Sequence, residues 1–201
     1  MIGAGDFSPE FRRGHGFDMI LWYDEMDRSG IFEDIGMGQT ENANIIRPVN
    51  EQDAVFLNTL MNCPSVLQVL NEVSSKLQDW TDAIEAWVSD ADEEDFIVQY
   101  EKTPIGWLGV NGLLNEDRKA YLKMAVLLPD YQGLGYGMQA IRELMCRLRQ
   151  RGVKKLALYT DRDNRKAQAC YRKCGFKVIE SLTETMSNGK TIQRIMMETC
   201  L

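Results

Sequence analysis

From residue 44 onward the apolar positions follow two rhythms, one of period two and one of three to four. "NIIRPV" (44–49) reads as a short strand stopped at Pro48. Asn50 and Asp53 stand at capping-box spacing, which predicts a helix over "EQDAVFLNTLMN". After Pro64, Val66, Leu67, Leu70, Val73, Leu77, Trp80, Ile84, Trp87 and Val88 keep helical steps. They predict a second helix with a core-facing stripe, a ligand-facing Trp80 or Trp87 being the lesser alternative. "DFIVQY" and "IGWLGVNGL" flank "EKTP" and predict an antiparallel hairpin.

"AYLKMAVLL" (120–128) predicts a third strand, and its apolar end suits burial on both faces. Met138, Ile141, Leu144, Met145 and Leu148 predict a helix over roughly 136–151, with arginines near its C-terminus and Gly152 as its cap. "VKKLALYT" (153–160) reads as a strand, and "NRKAQACYRKC" as a short helix ended by Gly175. "FKVIESLTETM" and "KTIQRIMMETCL" flank Asn188-Gly189, a type I′ hairpin signal. Hairpins mixed with strand–helix–strand crossovers predict an α/β fold: a mixed sheet with helices on both faces.

Residues 1–43 lack this order. They are Gly-rich and aperiodic at first, then acidic, and read as an appendage to a domain over 44–201. The appendage either docks through Phe17, Ile20, Leu21 and Trp22 or is a partly disordered tail. A role in dimerisation or as a lid leaves a homodimer open.

Composition narrows the function. The 201 residues, 44% hydrophobic and 26% charged, suit one globular domain with or without an appendage. No stretch is apolar enough for a membrane span, and acids flank "MILW" (19–22), against a signal peptide. Five cysteines without a C-x-x-C pair suggest reduced thiols and a cytoplasmic protein. The formal net charge of −7 argues against nucleic-acid phosphates and leans toward cationic small molecules or basic peptides. His15 is the sole histidine, which excludes a His-rich zinc site and disfavours histidine-dependent hydrolysis.

"PDYQGLGYG" (129–137) sits between a predicted strand and a predicted helix, with glycine at 133, 135 and 137. Such a loop aims backbone N–H groups and the positive helix end at one spot, which suits phosphate oxygens. A tight turn with close helix–sheet packing is the plainer alternative. The dinucleotide pattern fails at Met138, where a third glycine is required, and the P-loop lacks its G-K-[ST].

"QGLGYG" (132–137) resembles the Q/R-x-x-G-x-G/A signature of the GNAT superfamily of acetyl-CoA-dependent N-acetyltransferases. "DNRKAQACYRKCGF" (163–176) is similar to that family's N-x-x-A-x-x-x-Y-x-K-x-G-F segment. The resemblance covers about residues 44–201. It implies the acyl-CoA N-acyltransferase fold, a mostly antiparallel mixed sheet with a splayed central strand pair, the fourth strand carrying a bulge.

The implied reaction moves the acetyl group of acetyl-CoA, a co-substrate, directly onto a primary amine through a tetrahedral intermediate, without a metal. The pantetheine arm would run along Met124, Ala125, Val126 and Leu127, with the Leu127 N–H as oxyanion donor. Gln132, Gly133, Leu134, Gly135, Tyr136, Gly137 and Met138 would surround the pyrophosphate; Gln132 replaces the arginine of many relatives and brings no charge. Asn164 would contact the cofactor, cap the helix, or both, with Arg165, Lys166 and Ala167 beside it. Tyr171 matches the tyrosine that protonates the leaving sulfur, its alternative being aromatic packing. Cys170 and Cys174 are expected as buried thiols.

The strand holds only Lys123 where many relatives carry a glutamate base, leaving Glu101, Glu116, Asp117 or water for that task. Asp79, Asp82, Glu85 and residues 90–94 form an acidic rim that would attract a polyamine, an aminoglycoside or a peptide N-terminus. A non-catalytic acyl-CoA-binding module is the rival reading.

Overall fold

The computed structural model describes residues 19–20, 45–70, 73–185 and 191–201. Its strands are β1 (Met19–Ile20), β2 (Ile46–Pro48), β3 (Glu93–Tyr100), β4 (Thr103–Asn111), β5 (Lys119–Leu127), β6 (Lys155–Asp161), β7 (Lys177–Thr185) and β8 (Thr191–Cys200). Its helices are α1 (Ala54–Met61), α2 (Pro64–Leu70), α3 (Leu77–Ser89), α4 (Tyr136–Gln150) and α5 (Arg165–Lys173).

Strands β2 to β8 form one sheet in the order β2-β3-β4-β5-β6-β8-β7, and β1 pairs separately with β5. Within that row β5 and β6 run parallel, and the other neighbours antiparallel. The predicted mixed, mostly antiparallel sheet is therefore present.

Apolar side chains pack on both faces. Leu122, Ala125 and Leu127 join Ile141, Leu144 and Leu148 of α4 and Ala167 and Tyr171 of α5 in one cluster. Val126 and Trp107 join Leu57, Leu60, Val66, Trp80 and Ile84, from the helices before β3, in the other. The edge strand β2 is covered by α4: Glu143 accepts from the Ile45 N–H at 2.8 Å, and Arg147 donates to the Ile46 carbonyl at 2.7 Å. Such cover blunts an edge that could pair elsewhere.

The helix entry predicted at Asn50 forms as a reciprocal cap. Gln52 N–H donates to Asn50 Oδ1 at 3.0 Å, and Asn50 N–H to Asp53 Oδ2 at 2.9 Å. A 3-10 turn, Glu51–Asp53, precedes α1.

The single long helix predicted beyond Pro64 is instead two helices, α2 and α3. Polar side chains stabilise the interruption, as Asn and Ser do when they compete for backbone bonds. Asn62 bonds both the N–H and the carbonyl of Ser75, at 2.9 and 3.0 Å. Ser75 Oγ takes the Trp80 indole N–H at 2.7 Å, and Asp79 takes the Lys76 N–H at 2.7 Å. Trp80 and Ile84 are buried, whereas Val73, Leu77 and Val88 of the predicted stripe are exposed.

The β3–β4 turn uses Glu101 and Lys102, both at positive φ (48° and 69°). This is the backbone a two-residue hairpin demands, here without glycine. Strands β7 and β8 pair up to Thr185 opposite Thr191; the expected Asn188-Gly189 turn lies outside the described residues. The proposed docking residues Phe17, Leu21 and Trp22 lie outside them too, and of Ile20 only the backbone is described.

Candidate active site

Strand β5 holds the centre of the site because it is paired differently along its length. Only Lys119, Ala120 and Tyr121 pair with β6, opposite Lys155, Leu156 and Ala157. Two residues later the register against β4 breaks: Leu122 stands opposite Val110 and Met124 opposite Gly109, leaving Lys123 as the extra residue of a bulge. The packing reports the same event. Leu122 and Ala125 are three apart yet share a cluster, while Met124 and Val126 lie against the other. A bulge bends and twists its strand, and here β5 leaves β6 beside it.

Beyond the bulge β5 stays paired with β4, and the Leu128 N–H donates to the Ile105 carbonyl at 2.8 Å. Because ladder groups alternate along a strand, Met124, Val126 and Leu128 turn their N–H groups toward β4. Ala125 and Leu127 turn theirs to the opposite edge, where β6 has parted. Met19 and Ile20 occupy part of this edge, in parallel register with Met124 and Ala125.

At the end of β5 the chain makes a 3-10 turn, Pro129–Tyr131, and enters the glycine loop. Gly133 and Gly135 have φ of 72° and 89°, where other residues are strained. Gly135 is the N-cap of α4 and has no side chain to spend on the helix end. The first intrahelical donor is Gln139, bonded to the Gly135 carbonyl at 3.1 Å. Tyr136, Gly137 and Met138 thus precede it, and their N–H groups lie at the positive mouth of the helix. Gln132 turns its side-chain amide to the Leu127 carbonyl at 2.8 Å, tying the loop to the strand. Leu134 projects outward, and Tyr131, Tyr136 and Tyr100 form a group with ring centroids 5.2–6.4 Å apart.

The second motif lies on α5. Asn164 caps that helix, its Oδ1 accepting the Ala167 N–H at 3.1 Å. Ala167 is buried, and Arg165 and Lys166 are exposed in the first turn. Tyr171 is fully buried in the cluster that also holds Ala125 and Leu127, its ring edge-on to Phe176 at 5.8 Å. Cys170 is half-buried; its bond to Cys174 and its burial push its thiol up, which disfavours an acyl-carrying thiolate.

The expected acids behave as structural charges. Glu101, Glu116 and Asp117 are exposed at turns, and Asp117 accepts the Lys119 N–H. In the rim, Asp82 accepts from Gln78, Asp92 from the Leu114 N–H, and Glu94 pairs with Arg151.

Sequence reading named Lys123 and, within the acidic rim, Glu93, but missed the buried Asp95 and the meeting of all three beside the bulge. Lys123 pairs with Glu93 and lies 3.0 Å from Asp95 Oδ2, with its ammonium 4.6 Å from the Trp87 ring centre. Asp95 also accepts the Trp107 indole N–H at 2.7 Å. Burial pushes the Asp95 carboxyl well above the usual carboxylate range, and the Trp107 bond offsets part of that rise. Alternation in β3 was the one available signal: it puts Glu93 and Asp95 on a single face.

A strand that parts from its neighbour and leads to a glycine loop at a helix N-terminus matches the arrangement that the family resemblance implies. The chain belongs to the acetyltransferase (GNAT) family, whose model matches residues 60–176, more than half of its length. The spermidine N(1)-acetyltransferase of Escherichia coli K12 is 27% identical over 155 residues, 76% of this chain and 83% of that protein. A mycothiol acetyltransferase of Saccharomonospora viridis is 43% identical over 53 residues, 26% of this chain and 17% of that protein.

Two solved structures have the same fold. One is the spermidine N-acetyltransferase of Vibrio cholerae in complex with CoA and spermine: TM-score 0.69, 21% identity, 77% of this chain and 94% of that one. The other is the ribosomal-protein-alanine N-acetyltransferase of Brucella melitensis: TM-score 0.67, 21% identity, 78% and 99% covered. Among the described residues no helix is long and apolar enough to cross a membrane.

Proposed function

We propose that this acetyltransferase moves the acetyl group of acetyl-CoA onto a primary amine of a small polycation of the spermidine kind. The observation that carries the reading is the edge of β5 that β6 has left, where Ala125 stands opposite Ile20, the Leu127 N–H lies beyond that pair, and the strand leads to the glycine loop. The residues fit the coenzyme: Gly133 and Gly135 hold positive φ, and the amides of Tyr136, Gly137 and Met138 lie at the helix mouth. Gln132 through Met138 would hold the pyrophosphate, and Met124 through Leu127 the pantetheine arm. Asn164, Arg165 and Ala167 would border it from α5.

In this reading the Leu127 N–H, with Ala125 on the same edge, faces the thioester oxygen. One well-aimed donor of this kind is worth about 3–4 kcal/mol in the transition state. The Tyr171 hydroxyl gives its proton to the departing sulfur. The amine's proton goes to water, since the turn acids Glu101, Glu116 and Asp117 are exposed.

The acceptor class is supported by the net charge of −7 and by the similarity to a spermidine N(1)-acetyltransferase. Membership in a transferase family disfavours the purely acyl-CoA-binding module. Five free cysteines suit a reducing compartment, and we place the enzyme in the cytoplasm. We also take 44–201 as the catalytic domain and 1–43 as its appendage.

Mass spectrometry of acetyl-CoA incubated with spermidine, an aminoglycoside and a peptide bearing a free N-terminus tests the acceptor. Acetylation of spermidine above the other two is expected. Acetylation of the peptide alone would overturn the polycation assignment.

A further inference from the structure

We propose that Lys123 is a positioning residue for the transfer, clamping the bulge that turns the Ala125 and Leu127 N–H groups toward the edge of β5 that β6 has left. The inference rests on the acetyltransferase reading of that edge. Lys123 is the extra residue of the bulge, and the register of β5 changes parity at it. Without the parity change Ala125 and Leu127 would direct their N–H groups into the β4 ladder, because a one-residue slip reverses every group along a strand.

A bulge interrupts the regular ladder, so contacts beyond the ladder help to hold it in place. The Lys123 side chain supplies them. It leaves β5 on the side of α3, passes Gly109 and ends between Glu93 and Asp95, with Trp87 beneath its ammonium. A Cβ at position 109 would collide with Lys123 Cε and stand 2.6 Å from Asp95 Oδ1, so any side chain there would displace the clamp.

The receiving groups come from separate elements. Glu93 and Asp95 lie on β3 and Trp87 on α3, while Trp107 of β4 fixes Asp95 through its indole N–H. The Lys123 side chain is 15% exposed and that of Asp95 is 1% exposed, so the cation is held in a largely dry setting. Ion pairs and cation–π contacts are stronger there than at a surface. The single charge on β5 beyond Lys119 is thus neither base nor acceptor ligand. It joins the bulge to the rest of the sheet.

The test compares three full-length variants with the wild type, using acetyl-CoA and whichever amine the wild type acetylates. Glu93→Gln weakens the clamp at its more exposed end, where folding is least at risk. Lys123→Met with Asp95→Asn removes the Lys123–Asp95 pair and leaves only Glu93, the more exposed acid, without its cation, and Lys123→Arg keeps the cation. Displacing the donors by a fraction of an ångström lowers kcat by about tenfold, with the KM for acetyl-CoA unchanged. That outcome is expected for the double variant at a retained melting temperature, with a smaller fall for Glu93→Gln and recovery in Lys123→Arg.

A folded double variant, or Glu93→Gln, with wild-type kcat overturns the proposal, as does an equal rise in KM. If the wild type acetylates no amine, the functional reading fails, and the clamp is read instead by amide hydrogen exchange. Faster exchange at Met124 and Val126 in Glu93→Gln is then expected, and unchanged exchange refutes the clamp.

Discussion

Met19 stands directly opposite Met124 in a parallel pair, with Ile20 opposite Ala125, in the gap where β6 has parted from β5. The backbone proposed to receive the pantetheine arm is therefore already paired with this chain's own backbone. Both cannot use the Ala125 groups at once, and a site that is open only part of the time binds more weakly by that fraction. Replacing both residues, Met19→Pro with Ile20→Pro, removes both N–H donors from the short strand. Calorimetric titration is expected to give CoA binding about threefold to tenfold tighter than wild type. Unchanged or weaker binding would mean that the pair does not compete.

The loop conformation makes a separate prediction. A Cβ at Gly135 finds open space, its nearest neighbour being the Gln139 side-chain amide at 3.9 Å, so Gly135→Ala acts through the backbone alone. At φ 89° the penalty is about 1–2 kcal/mol. The loop is expected to relax, with CoA affinity falling about tenfold and a drop of a few degrees in melting temperature. A lower melting temperature with unaltered affinity would separate this loop from the coenzyme.

Tyr171→Phe removes one oxygen and keeps the ring against Phe176. Loss of a proton donor costs about a hundredfold or more in kcat, and the affinity for CoA is expected to hold. Steady-state kinetics beside a binding titration distinguish this from a packing role, in which kcat survives.

Asp95 gives a pH signature with a defined sign. Its folded-state pKa lies well above the unfolded value because burial disfavours the charge. The folded chain then binds more protons than the unfolded one between those two values. Stability from this group is fullest at the acid end of the window and falls as pH rises through it. Asp95→Asn removes that slope. Its melting temperature relative to wild type is expected to climb as pH rises above the usual carboxylate range. A constant difference would show that Asp95 titrates at an ordinary value.

Much of this was legible in the sequence because it is periodic or carried by special residues. Ile141, Leu144 and Leu148 marked the face of α4, and Gly133 and Gly135 marked left-handed backbone next to a helix start. Asn164 marked the α5 cap. The break between α2 and α3 was not legible, since Val73 and Leu77 continue the rhythm while Asn62, thirteen residues from Ser75, interrupts it. The bulge was implied by the family resemblance alone, because a parity change between two buried faces leaves the apolar run after Lys123 reading the same. The clamp around Lys123 gathers residues from four elements, and of its two acids only Glu93 read from the sequence, as part of an acidic rim.

The most direct test of the central claim is an amide NMR titration of the isotope-labelled full-length protein with coenzyme A. The largest shifts are expected at Gly133, Gly135, Gly137, Ala125 and Leu127, joined by Met19 and Ile20. Saturable binding that leaves the loop amides and the edge of β5 unmoved would contradict the claim.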